Sequence, residues 1–325
     1  MAFDFAARRI YAPSCMNVER GSVLDDRYEL RERIGQGGIG EVWAARDRAT
    51  SATVAVKLLH ATHHHGTMEA RFAREGELLA RVKSPFVCGM LAAGIDRATG
   101  TPFLVVERLV GTPLDRALPR RKPLAFEEAR RITEEILRGL AAAHAVGVVH
   151  RDLKPPNVFL SGPAKRAVII DFGIGKLLGG DGLTTKAATL GSPRYMAPEQ
   201  FEGAADADER CDVYAAATLA FRMLVGRLPF DSDNPVQALA MKTTYPPPSL
   251  AERSGTPWPK ALERFFAVSL AREPKARPRH GAACLDLWLH ACNESGMAID
   301  GGASAIETDD VDDQDVTPVL SRGRR

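Results

Sequence analysis

Cysteine is scarce and scattered: Cys15, Cys88, Cys211, Cys284 and Cys292 form no C-x-x-C pair. That argues against a disulfide-stapled fold or a cysteine zinc site, and fits a reducing, cytoplasmic setting. No run approaches the ~18 apolar residues a membrane span needs, and the N-terminus lacks the apolar core of a secretory signal. Membrane insertion is therefore not expected. Net charge is only +2, too little to argue for nucleic acid as a partner. What remains is an ordinary composition, 45% hydrophobic and 26% charged over 325 residues, with chain enough for two lobes and a substantial core.

The densest chemistry lies in His150-Arg151-Asp152-Leu153-Lys154-Pro155-Pro156-Asn157, between apolar Gly147-Val148-Val149 and Val158-Phe159-Leu160. Two prolines limit how far this stretch flexes. An Asp accepts a hydroxyl proton, an Asn ligates Mg²⁺, and a Lys neutralises a phosphoryl group in flight. Further along, Arg166-Ala167-Val168-Ile169-Ile170 reads as a buried strand that ends in Asp171-Phe172-Gly173. A carboxylate at the tip of an apolar strand suits a metal ligand.

Upstream, Tyr28–Ile34, Gly40–Ala45 and Ala52–Leu59 alternate as strands. Between the first two lies Gly35-Gln36-Gly37-Gly38-Ile39-Gly40. A dinucleotide-binding turn needs a helix directly after such glycines and an acid about 20 residues on. Here a strand follows, and Val54-Ala55-Val56-Lys57 stands where the acid belongs. Glu69–Val82 has helical spacing, with Glu75 and Leu79 on one face. A second hairpin runs through Leu91–Gly94 and Phe103–Glu107, and Leu114–Leu118 and Glu127–Ala145 read as helices.

Glycine loop, lysine strand, His-Arg-Asp loop, Asp-Phe-Gly and Ala197-Pro198-Glu199, in that order, resemble the protein-kinase family. The likeness is to the eukaryotic-like serine/threonine kinases of bacteria and covers about residues 28–291. It implies an α+β, bilobal protein-kinase fold, with a β-rich N-lobe over 25–106, a hinge at 107–110 and a mainly helical C-lobe over 111–292. Residues 1–24 read as a poorly ordered leader, and 293–325, with its run of Asp and terminal Arg, as a disordered charged tail.

The resemblance implies ATP and Mg²⁺ as cofactors and Ser/Thr hydroxyls of proteins as acceptors, including the chain's own activation loop. Asp152 is then the catalytic base and Lys154 its partner, while Lys57 holds phosphates, oriented by Glu75 with Glu77 as decoy. Asn157 and Asp171 hold the metal. Ile34, Gly35, Gly37, Gly40, Val42, Ala55, Val106, Glu107, Leu109 and Phe159 line the nucleotide pocket. Arg277 is expected to pair with Glu199. Arg151 is expected to meet a phosphate on Thr184, Thr185 or Thr189, and Ser192 to bridge to Asp152 and Lys154. Gly76, after Glu75, either loosens its helix or is needed for close packing. Pro156 stands where many relatives carry Glu, which predicts no strong preference for Arg upstream of the acceptor. A pseudokinase scaffold and a small-molecule phosphotransferase are the rivals. His60 and His63–His65 lack an acidic or Cys partner at fixed spacing, so they read as solvated rather than metal-binding. Arg120-Arg121-Lys122 reads as a wet helix end.

Overall fold

The computed structural model describes residues 18–37, 40–59, 76–172, 194–202, 207–232 and 234–296. Six antiparallel strands form the first sheet: β1 (Val23–Leu24), β2 (Tyr28–Gly37), β3 (Gly40–Asp47), β4 (Thr53–Leu59), β5 (Met90–Ile95) and β6 (Pro102–Glu107). Their order is β1-β2-β3-β4-β6-β5. β1 was not expected: Val23 pairs with Glu29 and Leu24 is buried, so the end of the supposed leader belongs to the sheet.

The register sorts the sheet into two faces. Val42 pairs with Lys57, which pairs with Leu104; Ala44 pairs with Ala55, which pairs with Val106. Directly paired residues share a face, and neighbours along a strand alternate. Trp43, Ala45, Val54, Val56, Leu58, Phe103 and Val105 therefore fall on the other face, where they form an apolar cluster with Leu24, Tyr28 and Leu30. That burial frees the first face to carry Val42, Ala55, Lys57 and Val106 together. Leu59 and Leu104, also on the first face, pack under Leu79 of a short helix α1, residues 76–80. The helix expected over 69–82 is described only there, and Glu75 lies outside the described residues. A Cβ on Gly76 would lie 2.7 Å from the Cβ of Ala93, so close packing is the reason for that glycine.

The second lobe is helical: α2 (Leu114–Ala117), α3 (Phe126–His144), α4 (Glu199–Glu202), α5 (Arg210–Val225), α6 (Pro235–Thr244), α7 (Leu250–Ser254), α8 (Lys260–Ser269) and α9 (Gly281–Glu294). A small sheet, β7 (Gly111–Pro113), β8 (Val158–Ser161) and β9 (Arg166–Ile169), lies beside them. α3 buries Ala129, Ile132, Ile136, Leu140 and Ala143 at steps of three and four, the stripe of a helix with one face in a core. α5 is buried nearly all round and ends at Gly226 in the left-handed conformation, φ 78°, as its sequence predicts. Phe221, Phe265, Phe266 and Trp288 close the core from α5, α8 and α9.

Candidate active site

β8 and β9 form a hairpin whose ends carry the two candidate metal ligands, Asn157 and Asp171. Asn157 precedes β8 in a single 3-10 turn with Pro155 and Pro156, and the Ile170 amide donates to the Asn157 carbonyl at 2.9 Å. Asn157 and Asp171 thus sit side by side on paired backbone. The Asn157 amide nitrogen donates to the Asp152 carbonyl at 2.8 Å and to Asp152 Oδ2 at 3.3 Å, which leaves its Oδ1 as the atom for a cation. Lys154 Nζ lies 2.8 Å from Asp152 Oδ2. Asp152 keeps 43% of its side chain exposed, so the carboxylate is held without being sealed off.

Arg151 has φ 65° and Asp171 φ 63°, left-handed values that branched or long side chains rarely adopt. What fixes Arg151 is a buried carboxylate on α5. Asp212 Oδ2 accepts the His150 amide at 2.7 Å, and Oδ1 accepts the Arg151 amide at 2.7 Å. The same Oδ2 accepts from His144 Nε2 at 2.9 Å, while His144 Nδ1 accepts the Gly281 amide at 2.9 Å. With Nδ1 so engaged, the ring proton sits on Nε2 and points at Asp212. Burial by itself raises the pKa of Asp212, but these hydrogen bonds, His144 foremost, outweigh it and hold the carboxyl below its usual range. The His150 ring packs on Phe172 at 4.7 Å and its Nε2 lies 3.0 Å from the Ile170 carbonyl. Arg151 Nε donates to the Ala207 carbonyl at 3.1 Å.

Across the cleft, Lys57 Nζ makes an ion pair with Asp171 Oδ2 at 2.9 Å. Sequence reasoning gave Lys57 to Glu75, and among the described residues it is Asp171 that meets it. Ala55 and Val106 lie face to face on neighbouring strands. Glu107 is the last residue of β6 and pairs with Val54, so the expected hinge begins inside a strand. Leu109 is half-buried. Phe159, on β8, pairs with Val168 and with Pro113. Gly35 and Gly37 end β2 beside exposed Ile34, Gly40 opens β3, and residues 38–39 lie outside the described residues. So do His60, His63–His65, Thr184, Thr185, Thr189 and Ser192. Arg277 meets Glu199 as expected, with Nη1 to Oε1 at 2.7 Å and Nη2 to Oε2 at 2.9 Å.

Four residues escaped the sequence reading. Asp212 looks like the first acid of an apolar helix until its partners are seen. Gln200, whose Nε2 donates to the Arg151 carbonyl at 2.8 Å, and Lys242, whose Nζ donates to the carbonyls of Arg194 and Met196, carry no motif. Cys88 was noted only for its isolation; its amide donates to the Ile169 carbonyl at 2.9 Å and its thiol to the Glu107 carbonyl at 3.6 Å. Burial, with the charges of Glu107 and Asp171, pushes that thiol up to about 12, so it stays protonated.

For a divalent cation, a carboxylate oxygen of Asp171 and the Oδ1 of Asn157 are the right kind of ligand. Mg²⁺ takes one or two protein oxygens and completes its shell with water and phosphate. Among the described residues no group of three or more His, Cys, Asp or Glu could cage a metal alone. No described helix is long and apolar enough to cross a membrane.

A β-rich lobe and a helical lobe, with a lysine strand facing a loop that holds an Asp and an Asn, define the protein-kinase fold. The kinase domain of Mycobacterium tuberculosis PknI superposes with a TM-score of 0.65 at 24% identity, over 85% of this chain and 100% of that one. The family model for the protein kinase domain matches residues 28–289. The chain belongs to that family, and its relatives place it with the eukaryotic-like serine/threonine kinases of bacteria. It is 33% identical over 273 residues to serine/threonine-protein kinase pkn3 of Myxococcus xanthus, 81% of this chain and 49% of that protein. It is 31% identical over 275 residues to PknA of M. tuberculosis, 83% of this chain and 62% of the relative. The chain spans about half the length of the curated relatives it matches.

Proposed function

We propose that the chain transfers the γ-phosphoryl group of ATP to Ser and Thr hydroxyls of protein substrates, with Mg²⁺, and that it phosphorylates its own activation loop. The observation that carries this reading is Asp152, held by Asn157 and Lys154 yet open on one side. In that position Asp152 orients the acceptor hydroxyl and takes its proton as the new P–O bond forms. Lys154 offsets the charge gathering on the transferring group, which matters most because the loose transition state leaves the protein mainly positioning and electrostatic work. Lys57 exchanges Asp171 for the α- and β-phosphates when nucleotide enters, with Glu75 as the partner that orients it. Asp171 and Asn157 would hold Mg²⁺, which would supply positive charge to offset that of the phosphates. Val42, Ala55, Val106, Leu109 and Phe159 enclose the purine, and backbone groups at Glu107 and Leu109 pair with its edge.

The test is purified protein with Mg²⁺ and γ-labelled ATP, followed by mapping of labelled residues. Label on Thr184, Thr185 or Thr189 and on added protein is expected. Nucleotide that binds with no label transferred would make the chain a pseudokinase scaffold instead.

A further inference from the structure

One strongly charged surface has no part in phosphoryl transfer. The loop between α2 and α3 and the turn after α5 are pinned together: the Leu124 amide donates to the Met223 carbonyl at 2.8 Å, and Arg222 Nη2 to the Pro119 carbonyl at 3.4 Å. Gly226 lets them touch, since a Cβ there would lie 2.7 Å from the Lys122 carbonyl carbon. The result is a basic lip of exposed cations, Arg120, Arg121 and Lys122 from the loop and Arg227 from the turn. Among the described residues none of these is in an ion pair, whereas Glu127 and Glu134 of α3 already pair with Arg130 and Arg138. Like charges gathered this way repel one another unless an anion or salt offsets them.

α9 leads an acidic stretch to the same place. It runs antiparallel to α3, with the Gly281 amide on His144 Nδ1 at 2.9 Å at its start and Trp288 Nε1 on the Arg130 carbonyl at 3.3 Å further along. Cys292, one turn on, is within electrostatic reach of Arg130, Glu127 and Glu134. The chain therefore leaves α9 at the end of α3 that adjoins the lip. Lys122 stands five residues before Glu127, at most ~18 Å away. The residues after 296 lie outside those described; from 297 to 321 they include seven acids and no Lys or Arg, with six of the acids in Glu307–Asp315. The eleven residues from 296 to 307 reach up to ~40 Å, ample for that distance.

We propose that the acidic segment 307–315 docks on the lip of Arg120, Arg121, Lys122 and Arg227 of its own chain, as an intramolecular clamp. Charge complementarity selects the occupant. Tethering secures it, because a short linker presents the segment at an effective concentration in the millimolar range. A set of exposed ion pairs, each weak alone, is then enough. Such a clamp gives way in salt. The inference uses no residue of the cleft, so it stands whether or not the chain transfers phosphate.

The test is carbodiimide coupling of the full chain, which joins a lysine amine directly to a carboxylate it touches; Lys122 is the amine of the lip. Mass spectrometry of the digested monomer should find Lys122 joined to an acid of 307–315, at a yield independent of protein concentration. In about 0.5 M NaCl, where charges are screened beyond ~4 Å, that yield should fall at least about fivefold. The exposed double variant Arg120→Glu/Arg227→Glu should lose as much, with its melting temperature held. Adding Asp309→Lys and Asp312→Lys to that variant should recover at least about half of the yield, which a general effect of substitution would not do. The salt arm uses the unaltered chain, so the proposal stays open to refutation even if a variant does not fold. Absence of the product at low salt overturns the proposal. So does a yield that persists in salt or in the reversed lip, and so does a product confined to coupled dimers.

Discussion

The acceptor side and the nucleotide side of the cleft are built differently. Around Asp152, backbone amides, the Asn157 amide and the Lys154 ammonium all have fixed partners, anchored at buried Asp212. Across the cleft, Lys57 and Asp171 hold each other through one ion pair, between a buried amine and a carboxylate 37% exposed. The first arrangement is complete without substrate. The second must exchange partners for nucleotide to enter. A protein whose catalysis is mainly positioning gains most by building in advance the half that meets a weakly held, variable acceptor.

The sharpest way to break the contrast is at the base. Asp152→Asn keeps the shape but cannot take a proton, so the rate of transfer should fall about a hundred- to ten-thousandfold. Nucleotide affinity should stay within about twofold, since the proposed function puts Asp152 against the acceptor and not the purine. Autophosphorylation at the wild-type rate would remove Asp152 from its role.

The anchor comes next. Asp212→Asn turns an amide toward the His150 and Arg151 amides and leaves donors facing donors. Chemical denaturation should show a loss of about 3 kcal/mol or more, together with reduced activity. Because the folded pKa of Asp212 is lowered, its contribution is present above the ordinary carboxylate value, ~3.9, and fades as pH falls through the lower folded value. The variant should lack that acid-side slope. A variant as stable as its parent would show that the loop does not depend on Asp212.

On the nucleotide side, Asp171→Asn removes the charge that holds Lys57 and that, on the proposed function, would hold Mg²⁺. Affinity for Mg-ATP should fall about tenfold or more, while global stability changes by less than ~1 kcal/mol, as for a partly exposed pair. A stability loss as large as that of Asp212→Asn would erase the distinction between the two sides. Gly76→Ala, expected on helix propensity to favour an active state, should instead lower activity modestly, because the added methyl meets Ala93. A faster enzyme would restore the propensity reading.

The smallest effect is electrostatic. Burial lowers the pKa of Lys242 to about 7, while in the unfolded chain it stays near 10.4. Between those values the unfolded chain holds the extra proton, so stability rises with pH, by at most ~1.4 kcal/mol per unit. Lys242→Met should flatten the curve between pH 7 and 10. A curve of unchanged slope would mean that the ammonium is better satisfied than its burial suggests.

Much of this was legible in the sequence because phosphoryl transfer needs fixed residue types at fixed spacings. The lysine strand, the loop of Asp152 and Asn157, and the pair of Glu199 with Arg277 all carry such spacings. Alternation marked the strands, while the register that puts Val42, Ala55, Lys57 and Val106 on one face comes from the structure. Long-range polar pairing was not legible. Asp212 lies 62 residues from His150, and nothing local separates a buried acid that caps a loop from a solvated one. The ion pair of Lys57 with Asp171 was not read from the sequence either, and Glu75, the partner the resemblance implies, lies outside the described residues. Val23 and Leu24 are too short a run to read as a strand without the Tyr28 edge they cover.

The left-handed backbone at Arg151 and Asp171 bears on any attempt to improve this protein. Each such residue costs of order 1–3 kcal/mol, which glycine would give back. A selection for thermal tolerance alone would therefore favour Arg151→Gly and Asp171→Gly, and would take away the side chains that reach the Ala207 carbonyl and Lys57. Consensus or melting-point screens on this chain should hold those two positions fixed, since here the more durable molecule is the one that has stopped signalling.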